Sequence, residues 1–414
     1  MSVMPLPCSG YRQESRVTTL TWPDLIAAAT RLRHDLHRQP ELAYAELHTA
    51  ATIRAELDRL GIPWQACADT GTIARLAAQA TGPHIALRGD IDALPIRENS
   101  TVPWTSTIDG CMHACGHDGH TATLCASAAW LKYHEAQLPG PVSLLFQPAE
   151  EGGHGAKRMI EGGALIGITA IYGWHNWPAI PHGQAVCPDG PVMAANGTFR
   201  ITLRGRGGHA SQPEACRDPV LAAAAVTMAL QQIVSRRLAP QTAAVLSVAN
   251  IDARSSDTVI PEQAVVSGSI RVADTAVRQA MGEEITAIAT ATAHAYGVAA
   301  EVIISPRYAA TCNHAGAATI MRTALAAEFG PTWRAHSTPV PVMASEDFSY
   351  YLAEIPGAYA LVGAAGARPG DPPLHSPHFD FDDRLIARMS RVQLRLVGLP
   401  APFIPLDNPQ GIPA

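Results

Sequence analysis

Apolar residues recur at helical spacing from Trp22 to Leu60, with Pro40 interrupting the run and Gly61 ending it. His84-Ile-Ala-Leu-Arg88 is a short buried-strand pattern that runs into Gly-Asp-Ile-Asp. From Gly119 to Glu135 the Ala and Leu spacing predicts a helix, and Val142-Ser-Leu-Leu-Phe146 is a second apolar strand. Strand, helix and strand in that order predict a parallel α/β core. Polar residues just past the carboxyl ends of its strands lie where such sheets place their sites.

Near residue 195 the pattern changes. Thr198–Arg204 alternates in strand fashion, and Asp218–Arg237 reads as a long helix opened by Asp-Pro. Ala243–Ile251 and Ala264–Val272 read as strands, Asp274–Tyr296 as a second long helix closed by Gly297, and Glu301–Ser305 as a strand. That β-α-β-β-α-β order is ferredoxin-like, and such a unit closes its own core. Helical patterns return at His314–Phe329 and Asp383–Leu396, with a strand at Ala358–Val362. The simplest architecture is an α/β catalytic domain with a mixed, mainly parallel sheet, split into 1–194 and 306–414. An α+β lid or dimerisation domain, 195–305, is inserted into it.

Composition narrows the function. The 414 residues carry 30 basic and 36 acidic side chains, a net charge of −6, so no basic excess suits a phosphate backbone and no nucleic-acid partner is expected. With 47% hydrophobic and 16% charged residues, the chain is neither disordered nor fibrous. Its eight cysteines are scattered without a framework and read as reduced thiols. The N-terminal stretch, Cys8 included, lacks the basic and apolar regions of a signal peptide. Leu221–Val234, the most apolar helical stretch, falls short of the about 20 residues that a bilayer requires. A cytoplasmic protein without a membrane partner is expected.

The densest chemistry is Cys111-Met-His-Ala-Cys-Gly-His-Asp-Gly-His120, which points to a metal site. Cys115 and His117 flank the flexible Gly116 and can converge on one ion, while Asp118 is placed to orient an imidazole behind it. His113, His120 and Cys111 read as packing or support. Past the Val142–Phe146 strand comes Gln147-Pro-Ala-Glu-Glu-Gly152, where adjacent carboxylates point in different directions, so one can ligate a metal while its neighbour faces a water. His175 lies between two tryptophans, and His375 and His378 follow Pro372-Pro373 on a loop. Each is as readily a packed histidine as a ligand. His209 occupies a glycine-rich loop of the inserted unit and nothing local explains it. A cysteine nucleophile at Cys115 with His117 as base lacks a marked third group. Cys111 and Cys115 do not have the Cys-x-x-Cys spacing of a redox pair. No phosphate loop, dinucleotide fingerprint, Gly-x-Ser-x-Gly elbow or deaminase signature is present.

Taken in order, Leu32-Arg-His-Asp-Leu-His-Arg-Gln-Pro-Glu41, Arg88-Gly-Asp-Ile-Asp-Ala-Leu-Pro95, Met112–His120, the Glu-Glu segment, Gly208-His-Ala-Ser211, Ser345-Glu-Asp-Phe348 and Leu374-His-Ser-Pro-His-Phe-Asp380 resemble one family. It is the di-metal amidohydrolases that include hippurate hydrolases, N-acyl-amino-acid aminoacylases and plant auxin-conjugate hydrolases. The resemblance implies two divalent ions per subunit (Zn, Mn, Co or Ni) held at Cys115, His117, Glu151, His175 and His375. It makes Glu150 the general base, Asp92 and Asp118 supporting residues, and His209 a lid histidine that reaches a partner's site in a homodimer or higher oligomer. Arg271, in Ser269-Ile-Arg-Val272, matches an arginine that meets the substrate carboxylate. Thr258-Val-Ile-Pro261 departs from the Asn-Val-Ile-Pro of relatives, so a substrate contact is shortened there. The implied substrate is a small N-acyl-L-amino acid. A dipeptidase or an N-acetyl-intermediate deacetylase would use the same scaffold, and a non-catalytic metal or ligand binder is the reading from another class.

Overall fold

The computed structural model describes residues 21–366 and 371–403. The N-terminal stretch inspected for targeting signals, with Cys8, lies outside them. Helix α1 (Trp22–Arg38) opens on a Thr21 side chain that accepts the Asp24 amide at 3.3 Å, with Pro23 in its first turn. Pro40 divides it from α2 (Leu47–Leu60), which Gly61 stops in the left-handed conformation, φ 66°. There follow β1 (Trp64–Cys67), β2 (Gly71–Leu76), β3 (Ile85–Asp90), α3 (His117–Tyr133), β4 (Val142–Gln147), α4 (Gly155–Glu161), β5 (Ala170–Pro181), β6 (Ala185–Val186) and β7 (Gly190–Met193). The next stretch holds β8 (Ala195–Arg204), β9 (Gly208–His209), α5 (Pro219–Leu230), β10 (Ala244–Asp252), β11 (Val259–Ile260), β12 (Gln263–Val272), α6 (Thr275–Ala295) and β13 (Ala299–Pro306). The chain closes with β14 (Thr311–Asn313), α7 (Ala315–Phe329), α8 (Ser349–Glu354), β15 (Gly357–Ala365) and α9 (Arg384–Leu396).

The main sheet has seven strands in the order β1-β2-β4-β3-β5-β15-β6. Its four central strands, β4, β3, β5 and β15, are parallel, and antiparallel strands flank them on both sides. The period of two along a strand sorts side chains between two cores. Leu87, Leu144, Ala360 and Val362 face the core beneath α1, α3, α7 and α9, whereas Ala86, Leu145, Tyr359 and Leu361 face the core beneath α4 and α8. The predicted strand-helix-strand unit is β3-α3-β4, and its parallel register sets Asp90 opposite Gln147.

A second, wholly antiparallel sheet runs β10-β12-β8-β13, with α5 and α6 packed together and against β12 and β8. Phe199, Ile201 and Leu203 of β8 meet Leu230, Met281 and Ile285 in its own core. The long helix expected over 218–237 stops at Leu230; a π-helical turn over Ile233–Arg237 follows, burying Ile233 while Arg236 and Arg237 stay exposed. Among the described residues no helix is long and apolar enough to cross a membrane, and the seven described cysteines are free thiols.

One buried cation fastens the end of the chain to its beginning. Arg33, on α1, donates to Asp383 and Asp380, each at 2.8 Å, and lies 3.6 Å from Asp118. Its guanidinium sits 4.8 Å from the Trp104 ring centre. Breaking a buried ion pair on one side strands the other charge. Arg33→Met is therefore expected to lower unfolding free energy by about 3–5 kcal/mol in urea titration.

Candidate active site

The site is assembled at the carboxyl ends of the parallel strands. Gly116, at φ 91°, turns the chain into α3, and a Cβ there would sit 2.6 Å from Asn176 Oδ1. The turn presents Cys115 and His117 from either side of it. On β5, His175 places Nε2 3.3 Å from Cys115 Sγ. Cys115, His117 and His175 offer ligand atoms that all lie within 4.8 Å of one another, as do Cys115, Glu151 and His375, and His117, Glu150 and Glu151. His375 approaches from its C-terminal loop with Nε2 3.1 Å from Glu151 Oε1, its backbone amide donating to the Ala114 carbonyl at 2.8 Å. All five expected ligands thus fall into overlapping groups, joined by Glu150.

Asp92 lies behind them, with Oδ1 3.1 Å from His117 Nδ1 and Oδ2 accepting the Glu151 amide at 2.9 Å. That contact leaves His117 Nε2 buried with no hydrogen-bond partner among the described residues. Asp118 also orients an imidazole, but that of His37, at 2.8 Å. His120, read as packing or support, bonds Asp90 at 2.5 Å and Asn176 at 2.8 Å.

A buried ionic layer beneath the cluster escaped sequence reasoning. Arg88 donates to Gln147 at 2.8 Å, Glu346 at 2.9 Å and Asp347 at 3.2 Å, and pairs with Asp90. Tyr359 donates its hydroxyl to Glu346 at 2.5 Å. Both the Arg88-Gly-Asp90 and Ser345-Glu-Asp347 stretches stand out in the sequence, yet no local signal says that they meet.

Crowded carboxylates shape the electrostatics. Burial, then Glu346, Glu151 and Asp347, push the Glu150 carboxyl well above the ordinary range. Burial followed by Glu151 and Glu150 does the same to the Cys115 thiol. Burial works against the charged form of His117, but Asp90 and Asp92 outweigh it and hold this imidazole up at about 10. Thiol, imidazole and carboxylate donors aimed at one another, with an orphaned His117 nitrogen among them, fit divalent cations.

Above the cluster opens a cavity of about 780 Å³, with Cys115, Glu150, Glu151, His175 and His375 on its floor. Arg271 joins them from the second sheet, donating to Ser345 Oγ at 2.8 Å. His209 and Thr258 are not part of this lining. They sit on the exposed β9–β11 ribbon, where Ala210 donates to the Thr258 carbonyl at 2.9 Å and His209 Nδ1 lies 2.8 Å from Ser211 Oγ. Tyr308, unanticipated, donates its hydroxyl to the Glu150 carbonyl at 2.7 Å and accepts the Gly152 amide at 3.0 Å.

A mainly parallel sheet with this thiol-imidazole-carboxylate cluster at its strand ends defines a metal-dependent amidohydrolase. The chain belongs to peptidase family M20/M25/M40, whose model matches residues 86–398. It is 39% identical over 366 residues to an N-acetyl-L-cysteine deacetylase of Bacillus subtilis, covering 87% of this chain and 85% of that one. To a hippurate hydrolase of Campylobacter jejuni it is 34% identical, over 90% and 96% of the two chains. Among solved structures, a Bacillus subtilis dinuclear metal binding peptidase of the M20 family superposes with a TM-score of 0.77 at 34% identity, over 90% of this chain and 98% of that one.

His37 supplies a pH test of the scaffold. Burial disfavours its charge, but Asp118 and Glu98 prevail and raise its pKa from 6.5 to about 9. A histidine so raised stabilises the fold fully below its unfolded pKa and loses that contribution as pH climbs through the folded value. Stability measured by denaturant titration should fall between pH 7 and 10, by on the order of 3 kcal/mol. His37→Gln should flatten that dependence.

Proposed function

We propose that the protein hydrolyses the amide bond of N-acyl-L-amino acids of the hippurate type, releasing a carboxylic acid and a free amino acid. One observation carries the reading: Glu150, a buried carboxylate, shares a single cavity with the cluster of metal-ligating groups and with Arg271 on the opposing sheet. Two divalent ions (Zn, Mn, Co or Ni) are the proposed cofactors, with Cys115, His117, Glu151, His175 and His375 as the residues that would hold them. When bound, such ions lower the pKa of a water and polarise the scissile carbonyl.

Glu150 accepts the proton of the attacking water and passes it to the departing amine nitrogen. Tyr308 fixes the backbone on which Glu150 stands, and Asp92 fixes the tautomer of His117. Arg271 meets the substrate carboxylate. The exposed position of His209 away from its own cavity supports a role in a neighbouring copy, where it would hydrogen-bond the tetrahedral oxyanion in a homodimer or higher oligomer. Thr258, beside it on the same ribbon, then helps set substrate choice. We divide the chain into a catalytic body of 1–194 and 306–414 and a lid of 195–305, hinged near 190–197 and 304–308. Buried free thiols accord with a cytoplasmic location. Similarity to an N-acetyl-L-cysteine deacetylase favours, as a second reading, removal of a short acetyl group by the same cavity.

Metal-stripped protein should release glycine from benzoylglycine only after Mn, Zn or Co is restored. Failure with every ion and with a panel of N-acyl amino acids would overturn the reading. Glu150→Gln should bind metal as the parent does while losing about 10²–10⁴ in kcat. His209→Ala should lose about 10²–10³. Mixing these two inactive variants should restore turnover through hybrid dimers, and no recovery would remove His209 from the shared-site role.

A further inference from the structure

Two arginines face the cavity, and the reading above uses only one of them. Arg271, on β12, spends one N–H on the Ser345 hydroxyl at 2.8 Å. Arg307, one residue past the end of β13, donates to the Gly152 carbonyl at 3.2 Å, and its guanidinium lies 5.6 Å from the centre of the Tyr308 ring. Among the described residues neither forms an ion pair, whereas the buried Arg33 and Arg88 each hold several carboxylates. After burial, the charge of Arg307 is what lowers the Arg271 pKa.

Neighbouring like charges in a half-enclosed cavity are unfavourable unless an anion joins them. Among the described residues no carboxylate of the cavity pairs with either arginine: Glu150 and Glu151 lie among the metal-ligating groups, Glu151 against His375, and Glu346 is committed to Arg88 and Tyr359. The missing negative charge therefore comes with the ligand. One α-carboxylate answers Arg271 and leaves Arg307 with only the Gly152 carbonyl and the Tyr308 ring as partners. Arg271 stands opposite Asn196 in the sheet register, and the Asn196 carbonyl accepts the Arg307 amide at 3.1 Å, so the two arginines flank one residue of the cavity wall and a second anion near the first falls in the amino-acid half of the substrate.

We propose that Arg307 forms a second anion subsite that takes the side-chain carboxylate of an acidic N-acyl amino acid, while Arg271 takes the α-carboxylate. The assignment rests on the amidohydrolase reading and names its substrate class as N-acyl aspartate or glutamate. A guanidinium–carboxylate bond is a charge-assisted contact that a neutral amide cannot reproduce.

The experiment compares N-acetyl-L-glutamate with its near-isostere N-acetyl-L-glutamine on the metal-reconstituted enzyme. The ratio of kcat/KM should favour the acid by about ten- to hundredfold. Arg307→Met, and Arg307→Gln should Met impair folding, should collapse that ratio, while Arg271→Met should weaken both substrates alike. A parent enzyme that does not prefer the acid would overturn the assignment. So would an Arg307 variant that loses both substrates in equal measure, since Arg307 would then share the α-carboxylate. The metal-loaded Glu150→Gln protein separates this inference from the reading beneath it. Calorimetric binding of N-acetyl-L-glutamate over N-acetyl-L-glutamine, lost on adding Arg307→Met, supports the subsite even if no substrate turns over. Equal binding of the two ligands refutes it whether or not hydrolysis is seen.

Discussion

Carboxylates repel one another and resist leaving water, yet Asp90, Asp92, Glu150, Glu151, Glu346 and Asp347 crowd together at one end of the main sheet. The molecule resolves this conflict in two directions. At the rear, Arg88 draws on Asp90, Glu346 and Asp347, and His120 takes the remaining oxygen of Asp90. At the front, among the described residues, Glu150, Glu151 and the Cys115 thiol face imidazoles rather than a guanidinium, with His375 3.1 Å from Glu151, and these three groups open into the cavity. The unbalanced charge is thereby confined to the surface where cations can reach it. Strand order, the Gly116 turn and the return of β15 to the sheet all serve to hold that division in place.

The opposing wall of the cavity is built from the second sheet, so the site exists only where the two units meet. Their junction is tightly bonded. Tyr308 donates its backbone amide to Asn196 Oδ1 at 2.7 Å on one side and bonds the Glu150 and Gly152 backbone through its hydroxyl on the other. Arg278 adds donors to the Asn196 and Tyr308 carbonyls at 2.9 and 2.6 Å. The placement of the proposed base is thus referred directly to the strand that enters the second sheet, and motion of one unit is felt at Glu150.

Much of this was legible from local chemistry. The β3-α3-β4 core announced itself through apolar runs bounded by glycine and acid, and the β-α-β-β-α-β order of the second unit through alternation in a strand and long helical runs bounded by Asp218-Pro219 and Gly297. Strand β5 was not read, because Trp174-His-Asn-Trp177 carries polar residues where a buried strand usually carries none; the site itself is the reason for them. Cys115 and His117 could be singled out by proximity in sequence, whereas His175 and His375 could not be separated from packed histidines without the family resemblance. Arg88 and Glu346 lie 258 residues apart and Tyr308 and Glu150 158 apart, and no periodicity encodes such pairings. Asp118 orients an imidazole, and which one no local pattern specifies, since His37 approaches it from a helix 81 residues earlier.

The path of the chain through the main sheet also bears on how the protein is born. Residues 195–306 form a contiguous unit with its own core, so that unit holds all of its partners soon after it leaves the ribosome. The body does not. Strand β5 must wait for β15, Arg88 for Glu346 and Asp347, and Arg33 for Asp380 and Asp383. Until synthesis has nearly finished, the first half carries an uncovered strand edge and unmatched buried charge, while a finished second unit already hangs from it. A chain cut short before β15 would therefore be expected to expose that strand edge and strand those charges, the features that favour aggregation over a smaller folded unit.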